Sequence, residues 1–151
     1  MISQSSEYAL RAMALLLASD PPELRASQEL AVRAKVPVDY MAKVLNCLCK
    51  SGLVISQRGR NGGCKAAKPA TQISVLDVIN AMDGIQRIES CPLGIPSHER
   101  LCELHRRIDD AARAVEEIFA STTMAELIAD KSHKGPLGVN RDFENAFHVC
   151  R

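Results

Sequence analysis

The sequence predicts a mainly α-helical fold with one small β-hairpin, and three observations lead to this prediction. Two short segments with helical spacing of apolar residues follow one another across Pro37. A basic segment containing Asn-Gly comes next, which is a strong signal for a tight hairpin. A later segment keeps heptad spacing over almost three heptads. Together they indicate a winged helix-turn-helix followed by a long dimerisation helix.

Composition limits the class of protein. The 151 residues are 46% hydrophobic and 25% charged, which is enough for one domain with its own core and excludes wholesale disorder. No apolar run approaches the roughly 18 residues of a membrane span, and the start lacks the pattern of a signal peptide. We therefore expect a cytoplasmic protein without a membrane partner. With 3% aromatic residues and no Trp, stacking platforms for single strands or sugars are not expected.

The first part of the chain is predicted to form three helices. Residues 5–18 are rich in Ala and Leu and apolar on nearly all sides, so this helix should be buried. Ser27 is expected to cap a short helix that runs to about Lys35. The next helix follows Pro37 and is stopped by Gly52. Its apolar face carries Met41, Val44, Leu45 and Leu48, and its polar face carries Asp39, Lys43, Asn46 and Lys50.

A hairpin is predicted directly after this helix. Residues 53–58 have the composition of a strand, residues 59–63 form the turn, and residues 64–66 return as the second strand. Basic side chains stand at the tip (Arg58, Arg60) and at the base (Lys65, Lys68). A helix-turn-helix followed by a basic hairpin is typical of a winged helix.

The second part of the chain is predicted to carry a long exposed helix. Ser74 and Asp77 form a capping box for a helix over 75–83, and residues 84–98 form a loop. The long helix runs from Glu99 to about Ala120, and a short helix follows from Thr123 to about Asp130. Heptad positions are filled by Leu101, Leu104, Ile108, Ala111, Val115 and Ile118. This seam favours a homodimer, and the alternative is a helix packed on its own domain.

We therefore divide the chain into three regions. Residues 1–70 form the winged helix-turn-helix, and residues 71–130 form a sensor loop and dimerisation helix of the same compact domain. Residues 131–151 are rich in Gly, Pro and Asn, and we expect a mobile tail.

The net charge of +1 conceals two regions of opposite charge. Residues 1–70 hold ten Lys or Arg against five Asp or Glu, a net of +5, whereas residues 71–151 hold nine against thirteen, a net of −4. The basic region coincides with the helix-turn-helix and hairpin, so double-stranded DNA is the expected partner. In a dimer, the two reading helices would address half-sites about one helical turn apart.

Separate roles in DNA binding are predicted within this basic region. Asp39, Tyr40 and Lys43 lie at the start of the second helix, where side chains reach base edges, although Asp39 is equally suited to capping. We expect Arg58 and Arg60 to enter a narrow minor groove. The backbone contacts are assigned to Lys50, Lys65 and Lys68.

Five short motifs resemble one bacterial family. They are Ser-Glu-Tyr-Ala-Leu-Arg-Ala-Met at 6–13, Val-Pro-Val-Asp-Tyr-Met at 36–41, Leu-Cys-Lys-Ser-Gly-Leu-Val at 48–54, Arg-Gly-Arg-Asn-Gly-Gly at 58–63 and Ile-Ser-Val-Leu-Asp-Val-Ile at 73–79. From about residue 2 to 130, the chain resembles the IscR/NsrR family of winged-helix regulators. The resemblance implies a homodimeric DNA-binding regulator, dimerised by the long helix, of a kind that often senses iron–sulfur status, nitric oxide or redox state.

The resemblance also implies a sensor site. Cluster-binding members of that family carry three cysteines before the long helix, and the first and last match Cys91 and Cys102. Their Cys-x-x-His motif matches Cys102 and His105, whereas the middle cysteine is missing, with Ser97 or His98 near its place. Some relatives add an acidic ligand from the partner's first helix, the region of Glu7. The implied site is a 2Fe–2S cluster held by Cys91, Cys102, His105 and Glu7, with His98 as a substitute ligand.

Two alternatives remain open for these cysteines, and the other cysteines have simpler interpretations. The first alternative to a cluster is a reversible disulfide between Cys91 and Cys102, and the second is that both cysteines are inert. Cys47 and Cys49 are expected to be small core fillers, and Cys64 is expected to pack or, alternatively, to be oxidisable. Cys150 is expected to be a free thiol in the tail.

The sequence thus predicts a sequence-specific DNA-binding transcriptional repressor that senses iron–sulfur, redox or nitric oxide status. The first alternative is the same regulator with a cluster-free thiol switch, and the second is a protein-interaction module without DNA binding. An enzyme is not expected, because neither a glycine-rich phosphate loop nor a paired-carboxylate pattern is present.

Overall fold

A computed structural model describes residues 2–18, 22–60, 62–91 and 101–129 of the chain. It confirms the mainly helical fold with a two-stranded antiparallel hairpin. The elements are α1 (Gln4–Leu16), α2 (Ser27–Ala34), α3 (Val38–Lys50), β1 (Val54–Gln57), β2 (Gly63–Ala66), α4 (Val75–Asn80), α5 (Glu103–Ser121) and α6 (Met124–Ala129). Among the described residues, every helix is too short or too polar to cross a lipid bilayer.

The central helix of the core is α1, as its apolar sequence predicts. Met13, Leu15 and Leu16 are almost completely buried, and α2, α3 and α4 all pack against this helix. Burial of each such side chain stabilises the fold by roughly 1.5–3 kcal/mol. Ser3 caps the helix, because its hydroxyl accepts a hydrogen bond from the Ser6 backbone N–H at 3.1 Å.

The helix-turn-helix is formed by α2 and α3. The cap predicted at Ser27 was wrong: Ala26 occupies the N-cap and Ser27 is the first helical residue. The preceding Arg25 explains this shift, since its backbone pairs in both directions with Cys64 at 2.9 Å and holds the entering chain extended. Lys35 ends α2 in a left-handed conformation, with φ 54°.

Helix α3 begins at Val38 with Pro37 as its N-cap. Asp39 therefore lies in the first turn and does not cap the helix, so the capping role predicted for it was wrong. The predicted stop at Gly52 is confirmed. Gly52 adopts φ 74°, a conformation that favours glycine, and the Leu53 N–H then reaches the Leu48 carbonyl at 3.0 Å.

The hairpin folds back across the end of the helix-turn-helix. Its register pairs Val54 with Ala66 and Gln57 with Gly63, and the Arg25–Cys64 bridge adds a third extended segment at its side. A side chain on Gly63 would meet the Arg25 carbonyl oxygen at 2.7 Å, so this close approach requires glycine. Asn61, in the predicted turn, lies outside the described residues.

The second part of the chain starts with the predicted capping box. The Ser74 hydroxyl accepts from the Asp77 N–H at 3.0 Å and the Asp77 carboxylate accepts from the Ser74 N–H at 2.9 Å, although α4 ends at Asn80 instead of 83. Helix α6 returns to the core, where Met124 is fully buried. The predicted tail over 131–151 lies outside the described residues.

The long helix differs from its prediction at its start. It does not run from Glu99, because Cys102 has extended backbone angles and serves as the N-cap, so the helix begins at Glu103. No residue of α5 is buried within the described part of this single chain. Its apolar stripe therefore lacks the cover that α1 and α3 receive from the core.

Candidate functional site

The outer face of α3 forms a continuous polar surface. Asp39, Lys43, Asn46 and Lys50 are exposed, whereas Met41, Val44, Leu45 and Leu48 are buried, as the predicted amphipathic pattern requires. The core thus fixes the helix by one face and leaves the other face free to contact a ligand.

Tyr40 connects the reading helix to α1. Its ring meets Tyr8 edge-on with centroids 5.7 Å apart, and its hydroxyl shares a hydrogen bond of 2.5 Å with the Ser5 hydroxyl. The Lys43 ammonium lies 5.4 Å from the centroid of the same ring. Tyr40 therefore orients Lys43 through a cation–π contact, and its own hydroxyl is already engaged.

Five of the residues predicted to contact DNA are lysines or arginines that could pair with phosphates. Lys43, Lys50, Arg58 and Arg60 are exposed and Lys65 is half-buried on β2. Within the described residues, none of these five forms an ion pair with a carboxylate. Lys68, at the base of the hairpin, is exposed as well. This arrangement leaves a positive surface along α3 and the hairpin.

Two cysteines and a histidine meet at the start of α5. The Cys102 sulfur lies 3.2 Å and the Cys91 sulfur 3.6 Å from His105 Nδ1, and all three ligand atoms lie within 4.8 Å of one another. All three residues are half-buried. Cys102 is the N-cap, His105 stands in the first helical turn, and Cys91 lies in the irregular segment that follows α4. The tertiary fold therefore brings together the three predicted ligands.

The chemistry of Cys91, Cys102 and His105, the group for which a sensor role was predicted and which is called the sensor group below, fits a soft metal. Thiolate and imidazole are ligands for iron–sulfur clusters, iron and zinc. Two such ligands on one metal ion lie about 3.5 Å apart at the usual bond lengths, which matches both sulfur–nitrogen distances. A four-coordinate centre needs a further ligand beyond the three that the described residues of this chain bring together.

The two remaining predicted ligands are not part of this group. Glu7 lies on α1, forms an ion pair with Arg11 and is not among the clustered ligands of the chain. His98 lies outside the described residues.

The predicted dimer seam is exposed at both ends of α5. Leu104, Ile108 and Ile118 retain 65%, 47% and 60% of their exposure. Leu101 precedes the helix and is half-buried. Ala111 and Val115 line an open groove of about 470 Å³ between α5 and the start of α1. The seam is therefore a largely uncovered apolar stripe.

The remaining described cysteines, Cys47, Cys49 and Cys64, are half-buried or buried. Cys64 is buried, as expected for a packing residue, whereas Cys47 and Cys49 are only half-buried instead of being full core fillers. Burial raises the pKa of the Cys49 thiol, and the neighbouring Cys64 raises it further. Cys49 is therefore a weak nucleophile at neutral pH. Cys150 lies outside the described residues.

A group of charged residues at α5 was not predicted from the sequence. Arg87 donates two hydrogen bonds of 2.7 Å to Asp109 and one of 2.8 Å to Glu116. The Ile88 N–H donates to Asp109 at 2.9 Å. Arg87 first, and then the Ile88 N–H, lower the pKa of the Asp109 carboxyl to about 2. The seven-residue spacing of Asp109 and Glu116 predicts a shared helix face, but nothing local identifies Arg87 as their partner.

The comparison with known families decides the class of protein. The sequence profile of the Rrf2 family, described as iron-dependent transcriptional regulators, matches residues 2–130. The chain belongs to this family. The resemblance inferred from the short motifs is thereby confirmed, and so is the expectation that the protein is not an enzyme.

Three relatives of this Rrf2-family chain extend the comparison. A protein of Aquifex aeolicus (strain VF5), named as an HTH-type transcriptional regulator, is 29% identical over 143 residues, 91% of this chain and 98% of its own. IscR of T. potens shares the fold, with a TM-score of 0.71 at 22% identity over 88% of this chain and 90% of that one. CymR, the global cysteine regulator of B. subtilis, has a TM-score of 0.65 at 28% identity over 84% and 95% of the two chains.

The Rrf2-family match assigns a role to the positive surface. The chain is a winged-helix transcriptional regulator that binds DNA. In winged-helix proteins generally, the second helix of the helix-turn-helix and the hairpin are the elements that contact DNA.

Proposed function

We propose that this Rrf2-family regulator is a homodimeric repressor whose affinity for double-stranded DNA depends on the state of Cys91, Cys102 and His105. The observation that carries the proposal is the meeting of these three side chains within 4.8 Å at the N-terminus of α5. The family's description as iron-dependent supports iron as the sensed element.

DNA contacts are assigned to the unpaired cations and their neighbours. Asp39 and Lys43, with Tyr40 holding the Lys43 side chain, would face base edges in the major groove. Arg58 and Arg60 would enter the minor groove, while Lys50, Lys65 and Lys68 would contact phosphates. The two copies of α3 in a dimer would address half-sites about 34 Å apart.

Dimerisation is assigned to α5. Its apolar stripe, formed by Leu104, Ile108, Ala111, Val115 and Ile118 with Leu101 ahead of the helix, has heptad spacing and is largely uncovered by the described residues of the chain. A second copy of α5 would bury this stripe as a coiled-coil-like pair. The sensor group lies at the first turn of the same helix, so a change there bears directly on the dimer.

The sensor group would hold an iron–sulfur cluster, with 2Fe–2S favoured by the small number of ligands. Cys91, Cys102 and His105 would be the ligands from one subunit, with Glu7 of the partner subunit or His98 completing the set. Ligation by Glu7 requires that it leave Arg11, its ion-pair partner on α1. The cluster would supply one-electron redox chemistry and an iron-dependent link across the dimer.

A thiol switch is the second candidate function, and the proximity of the two sulfurs favours it. The Cys91 and Cys102 sulfurs lie within 4.8 Å of each other, so side-chain rotation brings them near disulfide distance. The structural relative CymR is named a global cysteine regulator, which is compatible with a signal of this kind.

The DNA-binding part of the proposal is tested by selection and titration. A duplex selected from a randomised library is titrated with the full chain by fluorescence anisotropy. With several phosphate contacts per subunit, affinity should fall about a thousandfold or more between 50 and 200 mM salt. Salt-insensitive binding, or none, would refute it and would favour the protein-interaction module.

The sensor part is tested by the composition of the purified protein. Anaerobic purification should give coloured protein containing iron and acid-labile sulfide, and Cys102→Ala should lose both together with the redox response of DNA binding. Cys47→Ala, which alters a half-buried cysteine on α3, is the matched control and should keep its iron. Colourless wild-type protein whose DNA binding still responds to oxidants would leave the thiol switch as the function.

A further inference from the structure

We infer that Arg87, Asp109 and Glu116 are positioning residues, which fix the segment carrying Cys91 against α5 so that the Cys91 sulfur stays beside Cys102 and His105. This inference rests on the proposed function only in assigning a sensing role to those three side chains. The clamp, meaning these three residues with the Ile88 N–H, is formed by four hydrogen bonds.

Cys91 lies in a segment whose described residues have no regular secondary structure. Residues 84–91 follow the turn after α4 and belong to neither a helix nor a strand. A segment of this kind holds a side chain in place only through tertiary contacts. The clamp supplies such contacts at Arg87 and Ile88, four and three residues before the cysteine.

The clamp and the sensor group share one face of α5. His105, Asp109 and Glu116 are spaced by four and seven residues, so they follow one stripe along the helix. The segment therefore runs along this stripe, from Arg87 opposite Asp109 and Glu116 to Cys91 opposite His105. Because Asp109 accepts three hydrogen bonds, both the side chain and the backbone of the segment are held.

The other described ion pairs of α5 do not connect it to this segment. Arg106 pairs with Glu103 and Asp110, and Arg113 pairs with Asp110, all three or four residues apart within the helix. In contrast, Arg87 reaches carboxylates 22 and 29 residues away in sequence. Asp109 therefore pairs with the segment, whereas its neighbour Asp110 pairs only within α5 among the described residues. Substitutions of these two aspartates provide a matched pair of variants.

The decisive measurement is how readily Cys91 and Cys102 close a disulfide in full-length protein. In a glutathione redox buffer, the two thiols lose two electrons and two protons to glutathione disulfide, forming one Sγ–Sγ bond and two glutathione thiols. Trypsin cleaves after Arg100, between the two cysteines, so mass spectrometry detects the closed form as linked peptides. The equilibrium constant of this exchange, called the closing constant below, measures how well the fold holds the two sulfurs together. The measurement requires no metal.

Asp109→Asn should lower the closing constant about tenfold, since supporting residues of a site commonly contribute ten- to a hundredfold. Asp110→Asn should leave it unchanged. Arg87→Lys keeps the charge but loses the two-pronged hydrogen bonding, and should fall between them. Urea unfolding of each variant separates positioning from stability, and the Asp109→Asn midpoint should stay close to that of Asp110→Asn.

Binding of Co²⁺ under anaerobic conditions gives a second measurement. The absorption of thiolate-bound Co²⁺ should appear at about tenfold higher metal concentration in Asp109→Asn than in Asp110→Asn. Equal values for the two variants in both assays would overturn the inference. So would wild-type protein whose two cysteines neither close nor bind Co²⁺. Failure of DNA binding would refute the proposed function instead and would leave both thiol measurements unaffected.

Discussion

The DNA-binding half and the α5 region are built on opposite principles. The core consists of side chains from α1 to α4 with Met124, whereas no described residue of α5 is buried. Among the described residues, the cations of α3 and the hairpin form no ion pair with a carboxylate, whereas Arg87, Arg106, Arg107 and Arg113 all do. The first region is packed around a core and pairs only the arginines of α1, α2 and the segment before α2, so its free cations lie on α3 and the hairpin. The α5 region pairs its described arginines and leaves its apolar stripe largely exposed.

This contrast explains how one small chain would combine a rigid DNA-binding part with the proposed sensor. A packed core holds α3 and the hairpin in a fixed relation, so DNA contacts need little ordering on binding. Helix α5 is held mainly by hydrogen bonds, and its apolar stripe is largely exposed. It therefore has fewer packing contacts to break when it moves. The proposed sensor group lies at the start of α5, where the segment that follows α4 brings Cys91 to Cys102 and His105.

The largest expected effect tests whether the first region depends on its own core. Leu48→Ala should lower the free energy of unfolding by about 2–5 kcal/mol, because Leu48 is fully buried and its removal leaves a cavity. Val32→Ala, at a half-exposed site of α2, should cost less than about 0.5 kcal/mol. Urea unfolding measures the free energy of unfolding of both variants. Equal losses would contradict the claim that the packed core stabilises the first region.

The apolar stripe of α5 gives the next effect. Ile108→Glu places a charge in the proposed seam, and burial of an unpaired charge costs several kcal/mol, so the dimer dissociation constant should rise at least about a hundredfold. Ala114→Glu introduces the same charge at an exposed position off the seam and should remain dimeric. Sedimentation equilibrium separates the two variants. If both dimerise normally, α5 is not the interface.

The unpaired cations of the hairpin give an effect on DNA binding. Arg58→Ala with Arg60→Ala should weaken binding about tenfold or more and should reduce the salt slope by about one for each phosphate that is no longer neutralised. Arg106→Ala with Arg107→Ala removes an equal charge from α5, where both arginines pair with Glu103, and should leave DNA affinity unchanged. Anisotropy titrations at several salt concentrations provide the comparison. A similar loss in the double variant of α5 would mean that only total charge matters.

The smallest effect concerns the junction between the two regions. Ser74→Ala removes one half of the capping box of α4 and should cost about 1 kcal/mol of stability. Ser121→Ala, near the exposed end of α5, should change stability by less than about 0.5 kcal/mol. Thermal unfolding at one protein concentration measures the difference. An equal cost at both sites would show that α4 is no better anchored than the end of α5.

Local patterns were reliable wherever the answer lies within a few residues. The polar and apolar faces of α3, the stop at Gly52 and the capping box at Ser74 all follow from spacing and conformational preference. Two helix starts were predicted wrongly. Ala26, and not Ser27, is the N-cap of α2, where distant backbone intervenes through the bridge of Arg25 with Cys64. Helix α5 begins at Glu103, because Cys102 has an extended backbone and is the N-cap.

The sequence by itself determined the fold class, the family and the division into a basic and an acidic half, because these depend on composition, periodicity and local motifs. Only the tertiary structure decided which side chains meet. It brings Cys91 within reach of Cys102 and His105 and joins Arg87 to Asp109 and Glu116. Contacts between residues far apart in sequence are set by how the chain packs, and no local preference encodes them.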